Sequence, residues 1–202
     1  MITLKNAFER LMNGLYRISP NEPPPVAFRH MLEQHLEEFT VKNRKALINQ
    51  GEIPKFLYFQ ISGTTHLKYL DENGKLHVTR FYRESRIILR KSLLLQERSP
   101  CSIVACKGSL MFRLSYENMK LMFEAMPGMR EFMMRTILEY DNDKERMREE
   151  MLSKSVIDRV RDFYALFPML LPAATARLDL EIAAYLQISK VCLMQNRKKL
   201  RL

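Results

Sequence analysis

The feature that most constrains the fold is an abrupt change of hydrophobic periodicity along the chain. Between residues 38 and 114, short apolar or alternating runs are separated by turn residues, whereas from Gly128 onward apolar residues recur at helical spacing. Alternation bounded by turns is typical of β-strands, and a spacing of three to four residues is typical of helices. The sequence therefore predicts a β-domain followed by a helical part.

Individual segments within the first part predict particular strands. Residues 56–61 and 102–106 are short apolar runs bounded by turn residues. Residues 67–70 and 76–81 flank a turn that contains Gly74, and glycine readily adopts the positive φ that such a turn needs. We therefore expect an antiparallel domain with a hairpin at this position.

Apolar residues at helical spacing also predict helices on both sides of the β-domain. Leu4 and Phe8 begin a helix that must end at the proline cluster of residues 20–25, because proline interrupts helices. A second helix is expected over residues 26–36, and another over residues 156–167, before Pro168.

A long helix is predicted over residues 128–152, with an apolar stripe at a spacing of about 3.5 residues. The stripe comprises Met133, Ile137, Tyr140, Met147 and Met151. Two interpretations fit it: the helix pairs with the same helix of a second copy, or the stripe packs against the chain's own β-domain.

The C-terminal stretch has the apolar spacing of two short helices joined by a tight turn. Ile182, Ala183 and Leu186 fall on one face of the first helix. Ile188 fills the turn, and Leu193 faces back from the second helix. The layout predicts a helix-turn-helix, with an ordinary amphipathic hairpin as the alternative.

Charge and cysteine content limit the class of protein. Lys and Arg outnumber Asp and Glu by 33 to 23, and this net charge of +10 favours an anionic partner such as nucleic acid or an acidic surface. Three cysteines without metal-ligand spacing are typical of a reducing compartment. The N-terminus lacks the apolar core of a secretory signal, and no apolar run reaches the roughly 20 residues of a membrane span. A cytoplasmic protein without membrane contact is expected.

No catalytic or metal site is predicted. The histidines show no His-x-His pair with a downstream ligand, and the sequence contains neither a nucleophile triad pattern nor a phosphate-binding loop of Walker type. We therefore expect a protein that is not an enzyme and that has no metal or cofactor.

The order of these elements resembles the CRP/FNR family of bacterial transcription regulators over nearly the whole chain. The most specific similarities are the strand and glycine turn of residues 58–63, the hairpin of residues 71–75, residues 159–164 and residues 182–189. The resemblance implies an α+β fold: an antiparallel β-roll, or jelly roll, like that of cyclic-nucleotide-binding domains, a long dimerisation helix and a small helix-turn-helix domain. The implied boundaries are 1–127, 128–155 and 156–202.

The resemblance also implies where a cyclic nucleotide would bind. Family members that bind one use a phosphate-binding cassette with Gly-Glu early and Arg-(Ser/Thr)-Ala late, which supply backbone N–H groups and a guanidinium to the phosphate. The corresponding positions here are Leu89-Arg90 and Ser99-Pro100-Cys101. No cyclic nucleotide binding is therefore predicted, and the effector stays unknown. The candidate effector-pocket residues are Arg83, Arg90, Arg98, Ser99 and Ser102.

The resemblance places the second helix of the helix-turn-helix in the major groove of DNA. Gln195 can bond an adenine edge, and Val191 or Met194 can contact a thymine methyl group. Phosphate contacts suit hydroxyl and cationic side chains. The predicted DNA-binding residues are Ser189, Lys190, Val191, Met194, Gln195, Arg197 and Lys198.

Several residues of this motif depart from the family pattern. Val191 and Gln195 replace a Glu and an Arg, Gln187 replaces the usual glycine of the turn, and Asn196 replaces an apolar residue. A buried amide without partners would cost roughly 1 to 3 kcal/mol.

Two functions are therefore predicted as alternatives. The first is a dimeric DNA-binding regulator, with DNA, a second copy and RNA polymerase as partners. The second is a dimeric sensor or protein-interaction module of the same fold that has lost sequence-specific DNA binding.

Overall fold

The computed structural model describes residues 4–18, 26–171 and 178–202. Two helices, α1 (Leu4–Ile18) and α2 (Val26–His35), precede the strands, as the periodicity predicts. The proline cluster of residues 20–25 lies outside the described residues.

Eight strands follow in the described part of the chain, and all lie where the alternating texture predicts a β-domain. They are β1 (Glu37–Thr40), β2 (Lys45–Ile48), β3 (Phe56–Ser62), β4 (Thr65–Leu70), β5 (Leu76–Tyr82), β6 (Arg86–Ile88), β7 (Ser102–Ala105) and β8 (Leu110–Ser115).

The strands form two four-stranded sheets, with the orders β1-β8-β3-β6 and β2-β7-β4-β5. Every pairing in the first sheet is antiparallel, and Tyr58 of β3 lies opposite Arg113 of β8. Together with the C-terminal helices, these antiparallel sheets confirm the predicted α+β fold with a β-roll.

The remaining helices include the predicted long helix and C-terminal helices, together with two short helices that the periodicity does not predict. They are α3 (Lys91–Leu95) between β6 and β7, α4 (Tyr116–Ala125), α5 (Met129–Leu152), α6 (Val156–Leu166), α7 (Asp179–Leu186) and α8 (Lys190–Leu200), and a 3₁₀ turn lies at Pro168–Leu170.

The hairpin between β4 and β5 forms as the sequence predicts. Gly74 adopts a φ of 74° in the turn. The carboxylate of Asp71 accepts hydrogen bonds from the backbone N–H groups of Asn73 and Lys75, at 3.0 and 2.9 Å. Asp71 also forms a hydrogen bond with His77 at 2.8 Å. The pKa of Asp71 lies below its usual value, and this hydrogen bond contributes most to the shift.

The contacts divide the chain into two compact units, one formed by Met1–Thr65 with Phe81–Asp141 and the other by His66–Arg80 with Asn142–Leu202. The core of the first unit joins α1, α2, α4 and the start of α5 to the first sheet. Phe59 and Phe112 stack there with ring centroids 6.3 Å apart. The predicted three-part division stays a prediction.

The stripe on α5 does not present one uniform surface. Met133 and Ile137 are 8% and 5% exposed and belong to the core of the first unit, which agrees with the second interpretation of the stripe. Met151 is buried, whereas Met147 is 44% exposed. The side chain of Tyr140 lies outside those described.

The core of the second unit joins α6, α7 and α8. Phe163, Ile182, Leu186 and Leu193 are fully buried, and for the last three residues the helical periodicity predicts this burial. Lys68 of β4 also forms an ion pair with Glu181 of α7 at 3.3 Å. The C-terminal helices therefore form a packed core of their own, with the hairpin attached.

Candidate nucleic-acid interface and effector pocket

A tight turn joins α7 to α8. Gln187 adopts the left-handed conformation, with φ 54° and ψ 46°, and the N–H of Ile188 donates to the carbonyl of Ala183 at 3.0 Å. This is the usual way to end a helix with a left-handed residue, but a residue with a Cβ atom pays about 1 kcal/mol where glycine does not. Gln187 therefore builds the turn at some cost in stability.

Ser189 begins the second helix. Its hydroxyl accepts a hydrogen bond from the N–H of Cys192 at 3.1 Å, which makes Ser189 the N-cap of α8. A capping hydroxyl satisfies one of the otherwise unpaired N–H groups of the first turn. Ser189 is therefore a structural residue of the motif, whatever it contacts in addition.

One face of α8 is exposed. It consists of Lys190, Val191, Met194, Gln195 and Lys198, and we call it the α8 face. Residues at these spacings lie on the same side of a helix. Apart from Arg197, every residue predicted to bind DNA is exposed on this face or at its N-cap.

Arg197 is the exception. It is 5% exposed, and its Nη2 lies 2.8 Å from Oδ1 of Asp179 on α7. Its guanidinium carbon is also 5.9 Å from the centre of the Tyr164 ring on α6. The sequence predicts a phosphate contact for Arg197, but the residue follows Leu193 by four positions, shares the buried side of α8 and pairs with Asp179.

Asn196 also differs from its prediction. It is 8% exposed, but its amide Nδ2 donates to the carbonyl of Cys192 at 2.9 Å. The buried amide of Asn196 therefore has a hydrogen-bond partner. The free-energy cost of an unpartnered amide does not apply in full.

Leu89 occupies the position that the resemblance assigns to the first glycine of the cassette. Its side chain is 7% exposed, belongs to the hydrophobic core of the first unit and lines an apolar cavity of about 30 Å³. Arg90 follows as the half-buried N-cap residue of α3, and Arg83 is also half-buried. An apolar side chain therefore fills the space beside the start of α3.

The late cassette positions bond to a neighbouring loop. Ser99 is 2% exposed, its N–H donates to the carbonyl of Glu52 (2.8 Å), and its hydroxyl donates to the carbonyl of Cys101 (2.6 Å). Arg98 donates to the carbonyl of Gly51 at 2.9 Å, and the hydroxyl of Ser102 accepts from the N–H of Gln50 at 2.9 Å. These three predicted pocket residues hold the loop of residues 49–52 in place.

A groove that the sequence did not reveal lies beside this loop. Its volume is about 650 Å³, and it combines aromatic and cationic side chains from β1, β2, β3 and β8. The aromatic residues Phe56 and Tyr58 are the visible sequence signal for this groove, but their pattern by itself predicts only a strand. Arg98 is shared between the groove and the predicted effector pocket.

Two further findings concern the part of the chain that the structure describes. No three His, Cys, Asp or Glu side chains there come together in a way that could hold a metal ion. Within the same residues, no helix combines the length and the apolar character that a bilayer span requires.

Comparison with known proteins agrees with this architecture. Residues 38–125 match the family model of the cyclic nucleotide-binding domain. The β-domain has the fold of a cyclic nucleotide-binding domain. No curated protein sequence matches the chain significantly.

Solved structures extend the similarity to the C-terminal helices. A putative CRP/FNR-family regulator from Eubacterium rectale matches with a TM-score of 0.65 at 16% identity, over 88% of this chain and 84% of that one. A putative cyclic nucleotide binding protein from Ruegeria pomeroyi also gives 0.65, at 15% identity over 98% and 88%. CLP, the c-di-GMP responsive global regulator of Xanthomonas campestris, gives 0.61 at 14% identity over 88% and 92%. At such identities the likeness is one of fold.

Proposed function

We propose that this chain is a dimeric DNA-binding transcription regulator of CRP/FNR type that does not bind cyclic nucleotide in its cassette. The observation that carries the proposal is the exposed α8 face, set on a packed helix-turn-helix. The buried Leu193 and the ion pair between Arg197 and Asp179 fix α8 against α7 and α6. A rigidly held helix with an exposed polar face suits insertion into the major groove.

The side chains of the α8 face divide into two chemical groups. Gln195 can donate and accept in the bidentate manner that reads an adenine edge, and the apolar Val191 and Met194 suit thymine methyl groups. Lys190 and Lys198 flank them, and we assign their ammonium groups to phosphates, contacts that carry no sequence information. The proposed interface therefore favours A·T pairs and lacks the arginine that most often reads guanine.

The cassette residues support the absence of a cyclic nucleotide. A cyclic phosphate needs free backbone N–H groups and a cation, but Leu89 places a core side chain beside the start of α3. The hydroxyl of Ser99, at the position of the late arginine, is bonded to Cys101. Binding a phosphate there would require the chain to give up these contacts.

Dimerisation is proposed through α5. Leu138 and Met147 are 59% and 44% exposed on this helix, and apolar side chains exposed on a long helix favour association with a second copy. A two-fold dimer reads a pseudo-palindromic site with half-sites about one helical turn apart. In this proposal the dimer acts in the cytoplasm and contacts RNA polymerase.

Selection of bound duplexes from a random DNA pool at near-physiological salt, with the full chain, tests the proposal. We expect enrichment of a symmetric site rich in A·T pairs. Gln195→Ala should weaken binding to that site by roughly tenfold or more, because one bidentate contact discriminates by about 1 to 3 kcal/mol. Lys198→Ala should weaken binding to all sequences about equally and reduce its salt dependence.

Lys75→Ala is a matched control, because Lys75 is an exposed lysine of the hairpin turn. It should leave the selected site and its affinity unchanged. Equal binding to every duplex, unaffected by Gln195→Ala, would contradict sequence-specific regulation.

A second candidate function is a protein-interaction module of the same fold. The observation that favours it is the exposure of Val191 and Met194, at 63% and 52%, on the same face as Gln195. Adjacent exposed apolar side chains are typical of protein interfaces. In that case Val191→Ser with Met194→Ser would abolish capture of a protein partner, while the random DNA pool would yield no enriched motif.

A further inference from the structure

The groove beside the loop of residues 49–52 is built from parts of the chain that are distant in sequence. Phe39 comes from β1, Lys45 from β2, Tyr58 from β3 and Arg113 from β8. Its volume of about 650 Å³ falls within the range of small-molecule sites, roughly 300 to 1,000 Å³. We call it the aromatic groove.

Three aromatic rings form one side of the aromatic groove. The ring of Tyr58 lies 6.1 Å from that of Phe39, edge to face, and 6.2 Å from that of Phe56. Tyr58 is 5% exposed, and burial raises its pKa to about 12, so its hydroxyl stays neutral. Phe39 and Phe56 are only half-buried. Part of the surface of each ring is therefore exposed, and Nζ of Lys45 lies 5.6 Å from the centre of the Phe39 ring.

Arg113 is fixed between two of these rings. Its guanidinium carbon lies 5.6 Å from the centre of the Phe39 ring and 4.6 Å from that of Phe56. Its Nε and Nη2 donate to one carboxylate oxygen of Glu37, at 2.8 and 2.6 Å. A guanidinium held on aromatic faces extends the flat surface of the groove and keeps its orientation.

The other charges of the groove are predominantly positive. Lys45, Lys55 and Arg98 also line it and are exposed. Glu52 is the one acidic residue among the described lining residues, and its carboxylate accepts from the N–H and the amide of Asn49, at 2.8 and 3.0 Å. The cations therefore exceed the acid that could neutralise them within the groove.

We infer that the aromatic groove binds a small ligand that joins a planar ring to phosphate groups, the chemistry of a nucleotide. The ring of the ligand stacks on the surface that the Arg113 guanidinium forms with Phe39 and Phe56, and the phosphates meet Lys45, Lys55 and Arg98. A ligand with a single carboxylate would pair with only one of these cations. A ligand with several phosphate charges can pair with all of them and is therefore favoured. The site does not depend on the proposed DNA binding, and it uses neither Leu89 nor Arg90 of the cassette.

Isothermal titration of the full chain with three probes at constant ionic strength tests the inference. ATP carries the ring and the charge, adenosine the ring alone and tripolyphosphate the charge alone. We expect ATP to bind at least about tenfold more tightly than either part, because stacking and charge pairing both contribute. Lys45→Ala with Lys55→Ala should weaken ATP binding by about tenfold or more.

Lys42→Ala with Lys107→Ala is the matched control, since both lysines are exposed on the same β-domain but do not line the groove. This variant should bind ATP as the parent does, and the two double variants should unfold at the same temperature. Absence of ATP binding, equal binding of tripolyphosphate and ATP, or equal loss in both double variants would overturn the inference.

Two further outcomes would replace the inference with another site or partner. Loss of ATP binding in Arg90→Ala, with the double variant Lys45→Ala/Lys55→Ala unaffected, would assign the ligand to the cassette instead. A competition experiment with labelled ATP tests a different partner. If polyglutamate displaces the labelled ATP at a lower concentration than unlabelled ATP does, the groove is assigned to an acidic macromolecule.

Discussion

The cassette positions (Leu89-Arg90 and Ser99-Pro100-Cys101) and the α8 face both depart from the CRP/FNR sequence pattern, but they differ in exposure. In the cassette segment, Leu89 enters the core and Ser99 bonds to its own chain, so the groups that would hold a ligand are used internally. In α8 the residue types also differ from the family pattern, but Val191 and Gln195 remain exposed. The buried cassette residues Leu89 and Ser99 fit the proposed absence of a ligand site, and the exposed α8 face fits a proposed DNA-binding site of altered specificity.

The same contrast appears between two adjacent residues of α5, and it gives the largest expected effect. Ile137→Asp places a carboxylate among the core residues of the first unit, and an unpaired buried charge costs several kcal/mol. We expect this variant to lose its cooperative unfolding transition. Leu138→Asp alters an exposed side chain and should preserve that transition while shifting the sedimentation coefficient from dimer to monomer.

If Ile137→Asp stays folded and sediments as a monomer, Ile137 is the dimer contact, and this assignment of the two residues is reversed. A folded Leu138→Asp variant with unchanged sedimentation would instead place the proposed dimer contact elsewhere.

Asp179→Ala should produce the next largest effect, because it leaves the guanidinium of Arg197 buried without its partner. Breaking a buried ion pair from one side costs about 3 to 5 kcal/mol. Urea denaturation should report this loss, together with reduced DNA binding. Joint replacement by Asp179→Leu and Arg197→Met should recover much of the stability, since well-packed apolar residues often substitute for such a pair.

Arg197→Ala would sharpen the comparison from the other direction. Loss of DNA affinity with unchanged stability would mark Arg197 as a direct phosphate contact, contrary to its buried position.

Leu89→Gly tests whether the cassette segment is now structural. Removing a buried leucine side chain costs about 2 to 5 kcal/mol, through lost burial and the cavity left behind. We expect that loss in the free energy of unfolding, with no cyclic AMP binding gained by calorimetry. Leu95→Gly serves as a comparison and should lower the free energy of unfolding by less, because Leu95 is 36% exposed. Restored cyclic AMP binding in Leu89→Gly alone would contradict the proposed loss.

Gln187→Gly should give the smallest effect and should be stabilising. The left-handed conformation costs a residue with a Cβ atom about 1 kcal/mol, part of which glycine offsets by its larger entropy when unfolded. We expect the melting temperature to rise by a few degrees with DNA affinity unchanged. A fall in the melting temperature would show that the Gln187 side chain stabilises the turn.

Local patterns predicted much of the fold. The hairpin follows from alternation on both sides of Gly74, and α7 and α8 follow from Ile182, Leu186 and Leu193. Period and turn chemistry act over a few residues, so they can be read from sequence directly. The helix α3 was not predicted, because a helix of five residues has too few positions to show a period.

Contacts between distant residues could not be predicted in the same way. Arg197 is the first residue of a basic run that reads as a solvated helix end, and only its proximity to Asp179 across the turn makes it internal. The apolar spacing of α5 identifies one face of the helix but not the surface that packs against it, so Ile137 fitted both a dimer contact and a core contact. The aromatic groove requires four strands to be in place before its residues meet.

The burial of Leu89 has an evolutionary consequence. A glycine at this position would leave a hole in the core, so a single substitution toward the cassette would destabilise the domain before any phosphate contact could be selected. A larger side chain would first have to fill that space from Leu114 or Met119, which line the same small cavity. The order of substitutions therefore restricts the gain of a cyclic nucleotide site at this position, and new ligand specificity is more accessible elsewhere on the domain.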